Sequence, residues 1–207
     1  MHVLVSGFHP FRGAPSNPTM RILERLPPSV GRVALETRVL PVDTEGVRPE
    51  LEAAWAAAPA AVVHLGVATV SDRIRLERRA ENRLAFAVPD NRGRAPSDEP
   101  VEPGGPRFVE SRLPHAAIVA RWRAAQIPFA CSESAGTFLC NQVLYSSLRA
   151  LPAHRLVGFI HVPPDEVLAR KLGRVAEFPL ADSVHAVVAA LEAIVEALKT
   201  PGRKAPG

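Results

Sequence analysis

At 207 residues the chain has room for one sizeable core, and no shift in composition along it argues for a second domain. Hydrophobic residues make up 47% and charged ones 22%, a globular profile, and no apolar run approaches the roughly twenty residues of a membrane helix. The net charge of +4 does not read as a nucleic-acid footprint: lysines are confined to Lys171, Lys199 and Lys204, and the arginines are scattered without interleaved aromatics.

The chain opens on Met1-His2-Val3-Leu4-Val5, which enters a strand directly and lacks the charged and then hydrophobic profile of a signal peptide; the expectation is a cytoplasmic protein. Short apolar runs rich in β-branched residues predict strands over 3–6, 33–40, 60–65, 129–132 and 156–162. Helical patterns lie over 18–26, 46–58, 114–125, 135–151 and 182–198. In the last of these, Val184, Val187, Val188, Leu191, Ile194, Val195 and Leu198 recur at helical spacing and form an apolar stripe. The alternation predicts a single α/β domain over 1–200, a largely parallel twisted sheet with helices on both faces. Residues 73–88 alternate imperfectly and predict a hairpin or antiparallel strands added to that sheet. The Pro- and Gly-rich stretch 89–106 is too long for an ordinary connector and reads as a mobile loop. Residues 201–207 lack an apolar anchor and read as a disordered tail.

The cysteines are Cys131 and Cys140, and in a reducing compartment both are expected as free thiols. Cys131, within Pro128-Phe129-Ala130-Cys131, reads as a small buried hydrophobe. Cys140 follows Ser134-Ala135-Gly136-Thr137-Phe138-Leu139 and falls near the start of a helix, where free N–H groups and the macrodipole favour a thiolate. His161 closes the apolar strand Gly158-Phe159-Ile160-His161-Val162-Pro163, and an imidazole there is suited to take a thiol proton and return it to a leaving group. Catalytic pairs are neighbours in space rather than in sequence, so spacing alone does not join the two. His64 also ends an apolar strand and reads as structural.

The segments around Cys140 and His161 resemble the cysteine and histidine motifs of the pyroglutamyl peptidase I family, cysteine peptidases that remove an N-terminal pyroglutamyl residue. Ser6-Gly7-Phe8-His9-Pro10-Phe11-Arg12-Gly13 and Asn17-Pro18-Thr19 resemble its GFxPFGG and NPT segments. Glu77-Arg78-Arg79-Ala80-Glu81-Asn82 resembles its ERxAxN, and Pro89-Asp90-Asn91-Arg92-Gly93 its PDNxG, so that the likeness covers most of the chain in order. It implies a Cys-His-Glu triad of Cys140, His161 and Glu77, no metal or organic cofactor, peptides with N-terminal pyroglutamate as substrates, and a homodimer or homotetramer. Glu81 would share a face with Glu77 in an extended segment and is its rival; surface pairing of Glu77 with Arg75 or Arg78 is the plainer alternative. The likeness also implies a lactam pocket lined by Phe8 and Phe11, completed by Phe138 and Val88, with hydrogen bonds from the backbone at Gly66 and Val67. The amide of Cys140 is the first candidate oxyanion donor.

Two segments depart from the family's pattern. Thr69-Val70-Ser71-Asp72 stands where a glycine-arginine pair is typical, and Ala85-Phe86-Ala87-Val88 where Asp-Ala-Arg precedes IPDN. Ala87 thus takes the place of an arginine close to the active site, with Arg73 or Arg83 as candidates to replace it. Two other readings stand beside the peptidase: a non-catalytic or weakly active homologue that binds lactam termini, and a nucleoside phosphorylase-like enzyme on a similar sheet. The phosphorylase reading lacks a recognisable phosphate cradle.

Overall fold

Runs of Val, Leu and Ile short enough to be spanned by extended chain become the centre of a seven-stranded sheet. The computed structural model describes residues 1–175 and 178–199, and the tail expected over 201–207 lies outside the described residues. The strands are β1 (His2–Phe8), β2 (Ser29–Val30), β3 (Val33–Leu40), β4 (Ala61–Val67), β5 (Ile74–Glu77), β6 (Arg79–Glu81), β7 (Phe108–Glu110), β8 (Phe129–Ser132) and β9 (Leu156–Val162). The helices are α1 (Pro18–Leu23), α2 (Val47–Ala56), α3 (His115–Ala124), α4 (Leu139–Ala150), α5 (Glu166–Lys171) and α6 (Leu180–Lys199).

The sheet order is β2-β3-β1-β4-β9-β5-β8. Strands β3, β1, β4 and β9 are parallel. Beyond β9 the direction reverses: β5 is antiparallel to β9, and β8 follows β5. The stretch 73–88 therefore divides, with β5 inserted in the main sheet and β6 leaving it to pair with β7 as a separate antiparallel ribbon. Arg78 is the pivot, since its N–H still donates to Ser132 on the β8 side while its carbonyl accepts from Ser111, just past β7.

Because side chains alternate along a strand, each central strand feeds two cores. Val3, Val5, Val63, Leu65, Ile160 and Val162 face one side, covered by Ile118 and Trp122 of α3 and by Val187, Leu191 and Ile194 of α6. Leu4, Val62, Val157 and Phe159 face the other, beneath α2 and α4. The apolar stripe of α6 is widened by Ala186, Ala190 and Ala193, all buried, and Trp122 Nε1 donates to Ala186 O at 2.8 Å, which ties α3 to α6.

Two expectations are corrected by the tertiary structure, the start of α4 and the burial of Cys131. The helix expected from 135 begins at Leu139, because Ala85 and Thr137 exchange hydrogen bonds and Gly136 turns at φ +83°. The segment 89–106 is bonded to the rest of the fold at several points: Asp90 accepts from Thr44, Arg92 and Arg94, Glu99 pairs with Leu84, and Asn82 holds Glu102 and Gly105. Cys131, expected to be buried, is exposed, because β8 is the outermost strand of the sheet. Helix α5 carries too few residues for a periodic signal and is set by Asp165, whose side chain accepts from Val167 N and Leu168 N.

Candidate active site

The alternation that builds the two cores also decides which polar groups meet. On β9, Val157 and Phe159 face α4, and so does His161, two residues on. On β5, Ile74 and Leu76 face the opposite core, which leaves Arg75 and Glu77 on the α4 side. Pairing puts Gly66 of β4 and Arg75 of β5 on either side of His161, with Glu77 opposite Phe159. The first turn of α4 brings Cys140 over this patch: a Cβ added to Gly66 would lie 2.8 Å from the Cys140 Sγ. The site thus forms at the carboxyl ends of parallel strands, where open α/β sheets leave a crevice.

His161 Nδ1 and Glu77 Oε1 are 2.8 Å apart, and the Glu77 side chain is fully buried. That bond occupies Nδ1 and leaves Nε2 for the thiol. Burial acts to lower the His161 pKa, but the charge of Cys140, a hydrogen bond with it, and then Glu77 prevail and raise it from 6.5 to about 9. At neutral pH the ring is an imidazolium held between sulfur and carboxylate. Arg75 Nε lies 3.4 Å from the same Glu77 oxygen, and its Nη2 donates to Ser132 Oγ at 2.7 Å. The alternative pairing of Glu77 with Arg75 is therefore present as well, between a half-buried guanidinium and a fully buried carboxylate. Glu81 is elsewhere: its carboxylate faces Arg107 at 3.6 Å from β6. His64 bonds Ser6 and Ser147, and burial lowers its pKa to about 3, so it stays neutral, as a structural histidine should.

Cys140 opens onto a cleft of about 460 Å³ whose lining is largely apolar. Phe8, Phe11, Val67, Val88 and Phe138, singled out from the sequence, all line it. The Phe138 ring packs at a tilt against Phe86 at 4.2 Å and against Phe11 at 5.5 Å between centroids, which gives the cleft an aromatic wall. Phe138 is also the N-cap of α4 and offers no side-chain acceptor to the helix, so the first-turn amides, Cys140's among them, are left for a ligand. The two arginines expected to replace the one lost at Ala87 do not reach: Arg73 pairs with Asp72 and Arg83 with Asp98, both on the surface. Among the described residues the cations lining the cleft are Arg12 and Lys171.

Sequence reasoning missed Asn141. Fully buried beside Cys140, it accepts from Glu81 N at 2.8 Å and donates to Glu81 O and Arg83 O at 2.7 and 2.9 Å, which clamps α4 to the segment after β6. The Asn17-Pro18-Thr19 segment fastens α1 to the end of β1 in a similar way. Asn17 caps α1 and donates to His9 O, while Thr19 Oγ1 accepts from Phe8 N at 2.9 Å. An N-cap followed by proline is a helix-start signal; its bond to the end of β1 is visible only in the fold.

A family model described as pyroglutamyl peptidase matches residues 1–197. The pyrrolidone-carboxylate peptidase of Thermococcus onnurineus is 39% identical over 167 residues, covering 79% of this chain and 84% of that protein. The enzyme of the same name from Pyrococcus furiosus is 38% identical over 181 residues, covering 84% and 86%. The crystal structure of pyrrolidone carboxyl peptidase from Thermus thermophilus superposes with a TM-score of 0.89 at 46% identity, covering 92% of this chain and 98% of that one. The class defined by these matches and by the mostly parallel sheet is an α/β cysteine peptidase. The chain belongs to the pyroglutamyl peptidase family.

Proposed function

We propose that this chain hydrolyses the amide bond after an N-terminal pyroglutamyl residue, with Cys140 as nucleophile, His161 as acid and base, and Glu77 as the group that orients and supports the imidazolium. The buried 2.8 Å contact between His161 and Glu77, beneath a cysteine at the mouth of an apolar cleft, is the observation that supports this reading best. The lactam ring, uncharged and compact, fits among Phe8, Phe11, Val88 and Phe138, with backbone at Gly66 and Val67 near its polar edge. The Cys140 sulfur attacks the exocyclic carbonyl carbon, and the oxyanion that forms faces the Cys140 amide. As the C–N bond breaks, His161 gives its proton to the departing amine and a thioester remains. Neutral His161 then takes a proton from water as its oxygen attacks the thioester, releasing pyroglutamate and the Cys140 sulfur and returning the Cys140–His161 pair to its starting state.

A cytoplasmic setting, expected from the opening residues, and homodimeric or homotetrameric assembly, implied by the family likeness, accompany this reading; light scattering on the purified protein tests the assembly. The activity is tested with a pyroglutamyl chromogenic amide. Release of the chromophore by the parent protein and none by Cys140→Ala is the expected result, and equal release by both would overturn the assignment.

A further inference from the structure

The cleft that receives the substrate carries an unbalanced charge. Among the described residues Arg12 and Lys171 line it, no aspartate or glutamate does, and neither cation has a carboxylate within ion-pair distance. Lys171 is turned to the 11–16 loop by donating to Gly13 O at 2.6 Å. Arg12 is held differently. Its backbone sits at φ +48°, a left-handed conformation that residues with a Cβ adopt only at a cost, in a motif where the resembling family string has glycine. Asn91 secures that turn, since its Oδ1 accepts from Arg12 N at 3.3 Å and its Nδ2 donates to Pro10 O at 3.0 Å. The side chain extends past Phe11, with the guanidinium carbon 5.9 Å from the ring centroid. An exposed arginine kept on a strained turn beside the catalytic cysteine's cleft, without a counter-ion among the described residues, presents its charge to a ligand.

The pyroglutamyl ring is uncharged, so the ligand group lies elsewhere in the substrate, on the part that leaves with the amine. We infer that Arg12, assisted by Lys171, forms a carboxylate subsite for the residue that follows pyroglutamate. This rests on the peptidase reading above. Two sources present the same chemistry there: the side chain of an acidic residue, and the α-carboxylate of a pyroglutamyl dipeptide. The guanidinium offers paired donors to either, while a point cation at Lys171 adds attraction without directing it.

Three peptides separate the sources: pyroglutamyl-glutamate amide, pyroglutamyl-glutamine with a free α-carboxylate, and pyroglutamyl-glutamine amide, which has neither. In the parent protein kcat/KM for at least one anionic peptide should exceed that for the neutral amide by about threefold to tenfold, the range expected of a charge pair at a cleft edge. High salt should shrink that ratio. Arg12→Gln should bring that ratio close to one, and Arg12→Lys should keep part of it. A parent ratio of one, or an equal loss on all three peptides in Arg12→Gln, would overturn the subsite.

Calorimetric Kd values for the same peptides on Cys140→Ser protein keep this distinct from the peptidase reading. Preferential binding of an anionic peptide without turnover in the parent would sink the peptidase reading and sustain the subsite. Turnover of the neutral amide without any preference would do the reverse.

Discussion

Gly66→Ala adds one methyl group at the point where strand, helix and sulfur meet. The new Cβ would stand 2.7 Å from Phe159 Cζ and 2.8 Å from the Cys140 Sγ. Carbon contacts settle near 3.5 Å or beyond, so something must move by roughly 0.8 Å. Phe159 is fully buried, and Gly66 is bonded in register with His161, so the backbone has little room to retreat. Overpacking of this kind costs about 1 to 3 kcal/mol, which for a chain of this size lowers Tm by about 2–4 °C per kcal/mol. If the sulfur yields, a displacement on the order of 1 Å from the attacking position costs about a hundredfold in kcat/KM. The assay is hydrolysis of a pyroglutamyl chromogenic amide, alongside calorimetric Tm and the iodoacetamide alkylation rate, all in a Cys131→Ser background because Cys131 is exposed and would react as well. Unchanged Tm and unchanged kcat/KM would refute the contact. A lowered Tm with full activity would show that Phe159 gives way and the sulfur does not.

Cys140→Ala should abolish turnover with little change in Tm, and Cys131→Ser, altering an exposed edge-strand side chain, should retain most activity; loss in the second variant would contradict that placement. Glu77→Gln removes the charge that supports the imidazolium, so kcat should fall by orders of magnitude with a smaller effect on KM, whereas Glu81→Gln should be mild; the reverse ranking would assign the third position to Glu81. Because the His161 pKa is raised from 6.5 to about 9, its contribution to stability is complete below pH 6.5 and lost as pH rises through about 9. Denaturant midpoints should therefore decline across that window in the parent and less in Glu77→Gln. Asp90→Ala strips the acceptor from the Thr44, Arg92 and Arg94 amides, so hydrogen exchange over 89–106 should quicken; in the parent it should be slow with or without pyroglutamate.

Much of this protein is written in its residues alone. Apolar runs of strand length located β1, β3, β4, β8 and β9, and the stripe from Val184 to Leu198 located α6, because burial on a repeating geometry leaves its period in the residues. The segments around Cys140, His161 and Glu77 were legible as family motifs, down to the phenylalanines that line the cleft. The choice between Glu77 and Glu81 belongs to the folded chain, since both point the same way in an extended segment. The main sheet takes β5 and releases β6, and so only Glu77 is carried to His161. The anchoring bonds of 89–106 and the late start of α4 arise in the same way, where side chains of Asp90, Asn82 and Thr137 bond to distant backbone. Composition marks such a segment as polar and Gly-rich but cannot say which of its hydrogen-bonding groups will find partners. The exposure of Cys131 is of the same kind: a strand's residues state that it can be buried, and its place at the edge of the sheet determines whether it is.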